Sequence, residues 1–149
     1  MKVNPVIIFL AMTMLFPPLT EAISFKCGRG RSVKAEYKDA AMVFAGEVIF
    51  EEERKLSKVY RFKVEQWWKG GEKETLEVHV LKSKLSDGKY RFWAEQVRFQ
   101  KGEKYLVYGF MGNNILVASG CTRTGTLISA QEDLQIPGKS HLPKPAPKN

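Results

Sequence analysis

Apolar and polar positions alternate most cleanly in "KVYRFKVEQWWKGG" (Lys58–Gly71), where Tyr60, Phe62 and Val64 point one way and Arg61, Lys63 and Glu65 the other. A period of two marks a strand with one buried face. The pattern changes at Trp67–Trp68, and Lys69-Gly70-Gly71 makes a turn. Alternation resumes in "ETLEVHVL", with Leu76, Val78 and Val80 on one face and His79 turned outward as a solvated strand histidine. The two runs predict a hairpin. Upstream, "MVFAGEVIFE" (Met42–Glu51) reads as a strand with Met42, Phe44, Gly46, Val48 and Phe50 on one side. Gly46 inside that run predicts a bulge or sharp bend. The charged stretch Glu51–Ser57 is the turn that follows.

A second hairpin is predicted from "EKYLVYGFM" (Glu103–Met111), a Gly112-Asn113-Asn114 turn and "ILVASG". Asparagine tolerates the positive φ that tight hairpin turns require. Between the hairpins runs a long connection, Lys82–Lys101, carrying Tyr90, Phe92, Trp93 and Phe99. Such a loop either packs back on the body or binds a partner. Helical spacing flanks the strands on both sides. Ser32–Ala41 has a capping serine and places Val33, Tyr37, Ala40 and Ala41 on one face. Thr126–Gln135 spaces Leu127, Ala130 and Leu134 for a short C-terminal helix, stopped by Pro137 and Gly138. The expected class is therefore all-β with flanking helices: five short antiparallel strands closed into a small barrel, a short helix before the first strand and another at the end.

The ends of the chain read differently. Residues 1–24 have the form of a signal peptide: Lys2, an apolar run from Val6 to Phe16, then Pro17 and Pro18 before small residues. Cleavage fits after Ala22, which makes Ile23 the first residue, or after Ser24, which makes it Phe25. No later apolar run is long enough to span a membrane, so the product is expected to be exported. Residues 25–136 form one domain, and 137–149 a basic, proline-rich tail expected to be disordered.

A net charge of +8 directs attention to acidic partners: nucleic acid, anionic lipid, an acidic polysaccharide or an acidic protein face. The same charge also fits a merely solvated surface. No catalytic constellation is visible, and "GRGR" (Gly28–Arg31) lacks the strand and spacing of a dinucleotide fingerprint. The chain does not read as an enzyme. There is no C-x-x-C, and His79 and His141 have no ligand-like spacing to a cysteine, so neither a metal in the free protein nor a cofactor is expected.

Export bears on Cys27 and Cys121, the only two cysteines. In an oxidising compartment they allow one intramolecular bridge, tying an N-terminal arm to a late element. Closing a loop of about 94 residues would stabilise by roughly 4–5 kcal/mol in the chain-entropy treatment. Two buried free thiols are the alternative.

Taken in order, Cys27, "VFAGEV", "YRFKVEQWWKG", "GEKYLVYG" and "GCTRTG" resemble the inhibitory domain of the tissue inhibitors of metalloproteinases, especially single-domain bacterial forms. The likeness covers about Phe25 to Leu134. It implies a five-stranded OB-like barrel with flanking helices, as in the wider netrin-like superfamily. It also implies that Cys27 and Cys121 are the family bridge from the arm to the end of the last barrel strand. In that family the first residue is a cysteine whose amine and carbonyl chelate the protease zinc, and whose own bridge pins the arm to the connection loop. Here that position is Phe25 and its partner position falls near Glu95, so the pin is missing. The implied inhibitory edge is Phe25, Lys26, Cys27, Gly28 and Arg29, with the loop Tyr90–Gln96 beside it and Phe92 and Trp93 available to hold the arm by packing. The implied partner is a zinc metalloprotease.

A second function class needs no protease. A non-inhibitory exported OB-fold module would bind an acidic polysaccharide, an envelope component or a protein. Arg61, Lys63 and Trp67 would form its aromatic and basic stripe on an exposed strand face.

Overall fold

A computed structural model describes residues 30–92, 96–135 and 138–145. Residues 1–24, read above as a signal peptide, the arm Phe25–Arg29 with Cys27, and Trp93 and Glu95 of the long connection lie outside the described residues.

The chain enters through helix α1 (Val33–Asp39), capped by Ser32, whose Oγ accepts from the Ala35 N–H at 3.2 Å. Three antiparallel strands follow: β1 (Met42–Glu53), β2 (Ser57–Lys69) and β3 (Thr75–Leu81). A small separate hairpin, β4 (Ser83–Lys84) and β5 (Tyr90–Arg91), occupies the start of the long connection. Strand β6 (Lys104–Gly112) then returns antiparallel to β1. Asn113 (φ 50°) and Asn114 (φ 63°) turn the chain into β7 (Ile115–Val117), and β8 (Gly125–Thr126) pairs with β6 at Tyr105 and Leu106. Two consecutive left-handed residues match the twist of a tight hairpin, which explains the asparagines.

The pairing comes full circle. β1 joins β2, β2 joins β3, β7 joins β6, and β6 joins β1. The ring is completed by one parallel pair, His79 with Val117, supported by the Ala118 N–H donating to the His79 carbonyl at 2.9 Å. The five strands of this ring are the five read from the alternation; β4, β5 and β8, two residues each, leave too short a pattern to read.

Residues 43–46 of β1 and 105–109 of β6 are buried on both faces, which is why "VFA" and "YLVY" run almost continuously apolar. Phe44 and Val48, with Tyr105 and Val107, join one core with Phe62, Trp67, Val78 and Leu116. Val43 and Ala45, with Leu106 and Tyr108, form a second core with Trp68 and Ala130, against which Val33 and Tyr37 of α1 pack. Phe99, from the long connection, plugs the first core. Its ring centroid stands 5.0 Å from Tyr60, 5.0 Å from Phe62 and 4.9 Å from Tyr105, each edge to face. At Gly46 the β1–β2 register shifts, and a Cβ there would meet the Lys63 carbonyl oxygen at 2.6 Å. The glycine admits the close approach of β2 that the bend produces.

Four expectations are corrected. Phe50 does not share the core face with Val48. A second register shift between them turns it outward to 42% exposure, where the Arg61 guanidinium lies over its ring. His79 is buried rather than solvated, with Nδ1 3.3 Å from Ser57 Oγ on β2. The segment Thr126–Gln135 is not an α-helix but a series of turns ending in a 3-10 turn, Asp133–Gln135. Its Ser129 bonds back to Thr126, and Asp133 is held by groups outside the segment, so side-chain bonds displace the helical ladder.

The fourth correction concerns residues 138–145 of the tail; 137 and 146–149 lie outside the described residues. The described stretch 138–145 lies along the part of β2 that outruns β3. Trp67 and His141 exchange both backbone hydrogen bonds, at 2.9 and 2.8 Å, and the Lys144 N–H donates to the Glu72 carbonyl at 2.6 Å. Side chains add Gln66 Nε2 to Ser140 Oγ at 2.5 Å and a Lys144–Glu72 ion pair, also 2.5 Å. An unpaired strand edge is a ready template, and the tail satisfies it despite its polar composition.

Candidate functional site

A concavity of about 640 Å³ opens where the chain enters α1 and faces the segment that follows β7. Gly30 to Ser32 and Glu36 form one wall, and Gly120 to Gly125 with Asp133 form the other. This is the place where the arm Phe25–Arg29, itself outside the described residues, joins the domain.

Arg123 organises the walls. Its Nε and Nη2 donate to the two carboxylate oxygens of Asp133 at 2.7 and 2.5 Å, a bidentate arrangement. Its Nη1 donates to the Arg31 carbonyl at 3.1 Å, across 92 positions of sequence. The Tyr108 hydroxyl donates to Asp133 Oδ2 at 3.0 Å, and burial, reinforced by that carboxylate, pushes the phenol well above its usual range. Tyr108 is on β6, so this network fastens the post-β7 segment to the second core.

On the opposite wall Glu36 is buried, and its carboxyl is pushed upward chiefly by desolvation; Arg31, 3.8 Å away, opposes that shift. Arg31 also pairs with Asp39, whose carboxyl it holds below the usual carboxylate range. The walls thus consist of charges that answer one another. That arrangement holds backbone segments in place. Among the described residues no three metal-ligating side chains stand together. Sequence reading missed Glu36 and Asp133. The only available signal was a carboxylate at a helical core position, which looks like any surface charge in a single sequence.

Cys121 lines this cavity. No cysteine among the described residues is free, while Cys27 lies outside them. The loop Tyr90–Gln96 is described at its two ends. Phe92 packs on the first core beneath the Lys82 ammonium, and Gln96 Nε2 donates to the Leu81 carbonyl at 3.3 Å.

The stripe Arg61, Lys63 and Trp67 is not brought together as a binding face. Trp67 is 1% exposed, with its indole N–H donating to the Lys73 carbonyl at 3.0 Å. The register shift between Ala45 and Gly46, which leaves Glu65 as an extra residue on β2, carries it into the first core. Arg61 is exposed but paired with Glu77 at 2.9 Å, and Lys63 stays in solvent.

No protein-family model matches the chain, and no curated protein matches it.

Proposed function

We propose that the chain is an exported, non-enzymatic domain of netrin-like type, an OB-like closed five-stranded barrel that inhibits zinc metalloproteases through its N-terminal arm. Residues Phe25 to Arg29 form the inhibitory edge, tied down by a Cys27–Cys121 disulfide. The zinc belongs to the protease, and the domain contributes a neutral amine and the neighbouring carbonyl as ligands to an open metal position.

The observation that carries this reading is the hydrogen bond from Arg123 Nη1 to the Arg31 carbonyl. It holds the chain four residues beyond Cys27 against the chain two residues beyond Cys121. Four residues reach about 13 Å when extended, enough for the two cysteines to meet. Two further contacts support an edge shared with the connection loop. Gln96 bonds to Leu81 and Ala118 bonds to His79, so the loop and the segment leading to Cys121 adjoin the same end of β3. The circular strand pairing supports the barrel.

The test begins with intact mass before and after reduction and alkylation, which gives both the bridge and the mature N-terminus. Protein beginning at Phe25 is then assayed against a panel of metalloproteases beside a form with one added residue and a form acetylated at the amine. The expected result is inhibition by the first alone, with all three folded. An α-amino group of pKa near 8 is partly neutral at pH 7, and zinc draws off the remaining proton. Two alkylatable thiols in native protein would remove the bridge. Equal activity of the blocked and unblocked forms would remove the chelating mechanism.

A further inference from the structure

The β1–β2 turn carries Leu56 at 54% exposure, the end of β3 carries Leu81 at 41%, and the β4–β5 hairpin carries Leu85 at 37%. These three leucines occupy one corner of the fold. Leu81 pairs with Ser57, and the Lys82 N–H donates to the Leu56 carbonyl at 2.9 Å. Lys82 Nζ also donates to the Arg54 carbonyl at 2.7 Å, stitching the turn to the strand that leads into the hairpin. Leu85 follows Lys82 by three residues, a reach of about 10 Å.

The corner is built rather than loose. Leu85 N–H donates to the Lys89 carbonyl at 2.8 Å, and the Lys89 N–H donates to Asp87 Oδ1 at 2.9 Å. Its carboxylates are answered locally: Glu53 by Lys82, Glu52 by Arg54 and Asp87 by Arg91. Among the described residues Lys55, Lys84 and Lys89 take part in no ion pair, and all three are exposed. The corner therefore presents leucines with neighbouring lysines, Lys55 beside Leu56, Lys84 beside Leu85 and Lys89 bonded to Leu85, that pair with no carboxylate among the described residues.

We propose that this corner docks on an anionic lipid surface, with Leu56, Leu81 and Leu85 entering the headgroup–acyl boundary and Lys55, Lys84 and Lys89 meeting lipid phosphates. The two halves of the patch together select the occupant. An acidic polysaccharide would use the lysines and leave the leucines in water. A bilayer accepts apolar side chains and anchors the long lysine stems with their charges at the headgroups. An exposed apolar patch with basic surroundings is complementary to that layered surface.

The experiment is co-sedimentation of the mature chain with phosphatidylcholine vesicles, with and without about one third phosphatidylglycerol, at physiological salt. Binding is expected only to the anionic vesicles. Leu56→Ser with Leu85→Ser should lower the partition coefficient about tenfold or more. Replacing Lys55, Lys84 and Lys89 by Gln should lower it about a hundredfold, since each is worth roughly a fivefold factor near such a surface. All five side chains are exposed, so circular dichroism and melting should stay as in the parent. Absence of binding to anionic vesicles would overturn the proposal. So would binding that the leucine changes leave intact, which would mean adsorption by charge alone, or a leucine-dependent acidic protein partner with vesicles left unbound.

Discussion

Arg123 holds Asp133 through two parallel hydrogen bonds while a third, from Tyr108, reaches the same carboxylate from β6. Asp133 is buried, so removing the guanidinium leaves a carboxylate without its main counter-charge. Arg123→Ala is expected to destabilise by about 3–5 kcal/mol, whereas Arg61→Ala, which breaks the exposed pair with Glu77, should lose about 1 kcal/mol or less. Urea denaturation of the two variants checks the contrast. Similar losses would mean that Arg123 is no more than a surface partner.

Acid should weaken the fold through His79. Burial is the main cause lowering its pKa, Arg54 pushes the same way, and Glu77 opposes them. In the unfolded chain an imidazole takes its proton near pH ~6.5, while the folded form resists it until lower pH. Between those values the unfolded state holds more protons, so stability is complete above about pH 6.5 and falls as pH drops toward the folded pKa. His79→Gln should flatten the fall in melting temperature between about pH 7 and pH 5. The lowered carboxyls of Asp39, Glu72 and Glu77 act below the ordinary carboxylate pKa, and the raised Glu36 carboxyl, which takes its proton first in the folded state, acts with the opposite sign in parent and variant alike, so the difference between the two slopes reports His79. An unchanged slope in the variant would assign the pH effect elsewhere.

The tail should contribute to stability. Deleting 138–149 removes both backbone bonds to Trp67, each worth about 1 kcal/mol net, and uncovers that edge of β2. The expected outcome is a lower denaturation midpoint and a red-shifted tryptophan emission. His141→Pro, which has no N–H to donate, should give part of the same change. A truncated chain with the parent's midpoint and spectrum would show that the contact is incidental.

Two left-handed glycines should respond differently to alanine. Gly70 has φ +81°, and a Cβ there would lie 2.2 Å from the Ala41 carbonyl oxygen. Gly88 has φ +77° with nothing within 4 Å. Gly88→Ala should lose about 1–2 kcal/mol, the conformational penalty alone. Gly70→Ala should lose clearly more, because backbone must move as well. Thermal denaturation of the pair tests it.

The ring strands were legible because alternation survives wherever one face is buried, as at Tyr60, Phe62 and Val64. It failed where register shifts intervene. Phe50 and Trp67 each sit beside a shift in the β1–β2 pairing, and each faces the opposite way from its sequence phase. His79 was misread because its outward face is covered rather than solvated, a fact of tertiary contact that a strand pattern does not contain. The tail's docking was hidden for a related reason: its bonds to Trp67 are backbone bonds, which no side-chain pattern announces. The network of Arg123, Asp133 and Tyr108 joins residues 10 to 25 positions apart by shape, and only the folded chain brings them together.

β7 is three residues long and answers to two neighbours at once, Phe110 through Gly112 on β6 and His79 on β3. Its phase is set by the two-residue turn Asn113-Asn114. One residue inserted in that turn would move Leu116 out of the first core and shift the pair that completes the ring. An insertion in the Asp87-Gly88 turn would disturb only β4 and β5, which pair with each other alone. Both turns are exposed, yet only one of them can vary in length: Asn113-Asn114 sets the gauge of the whole ring.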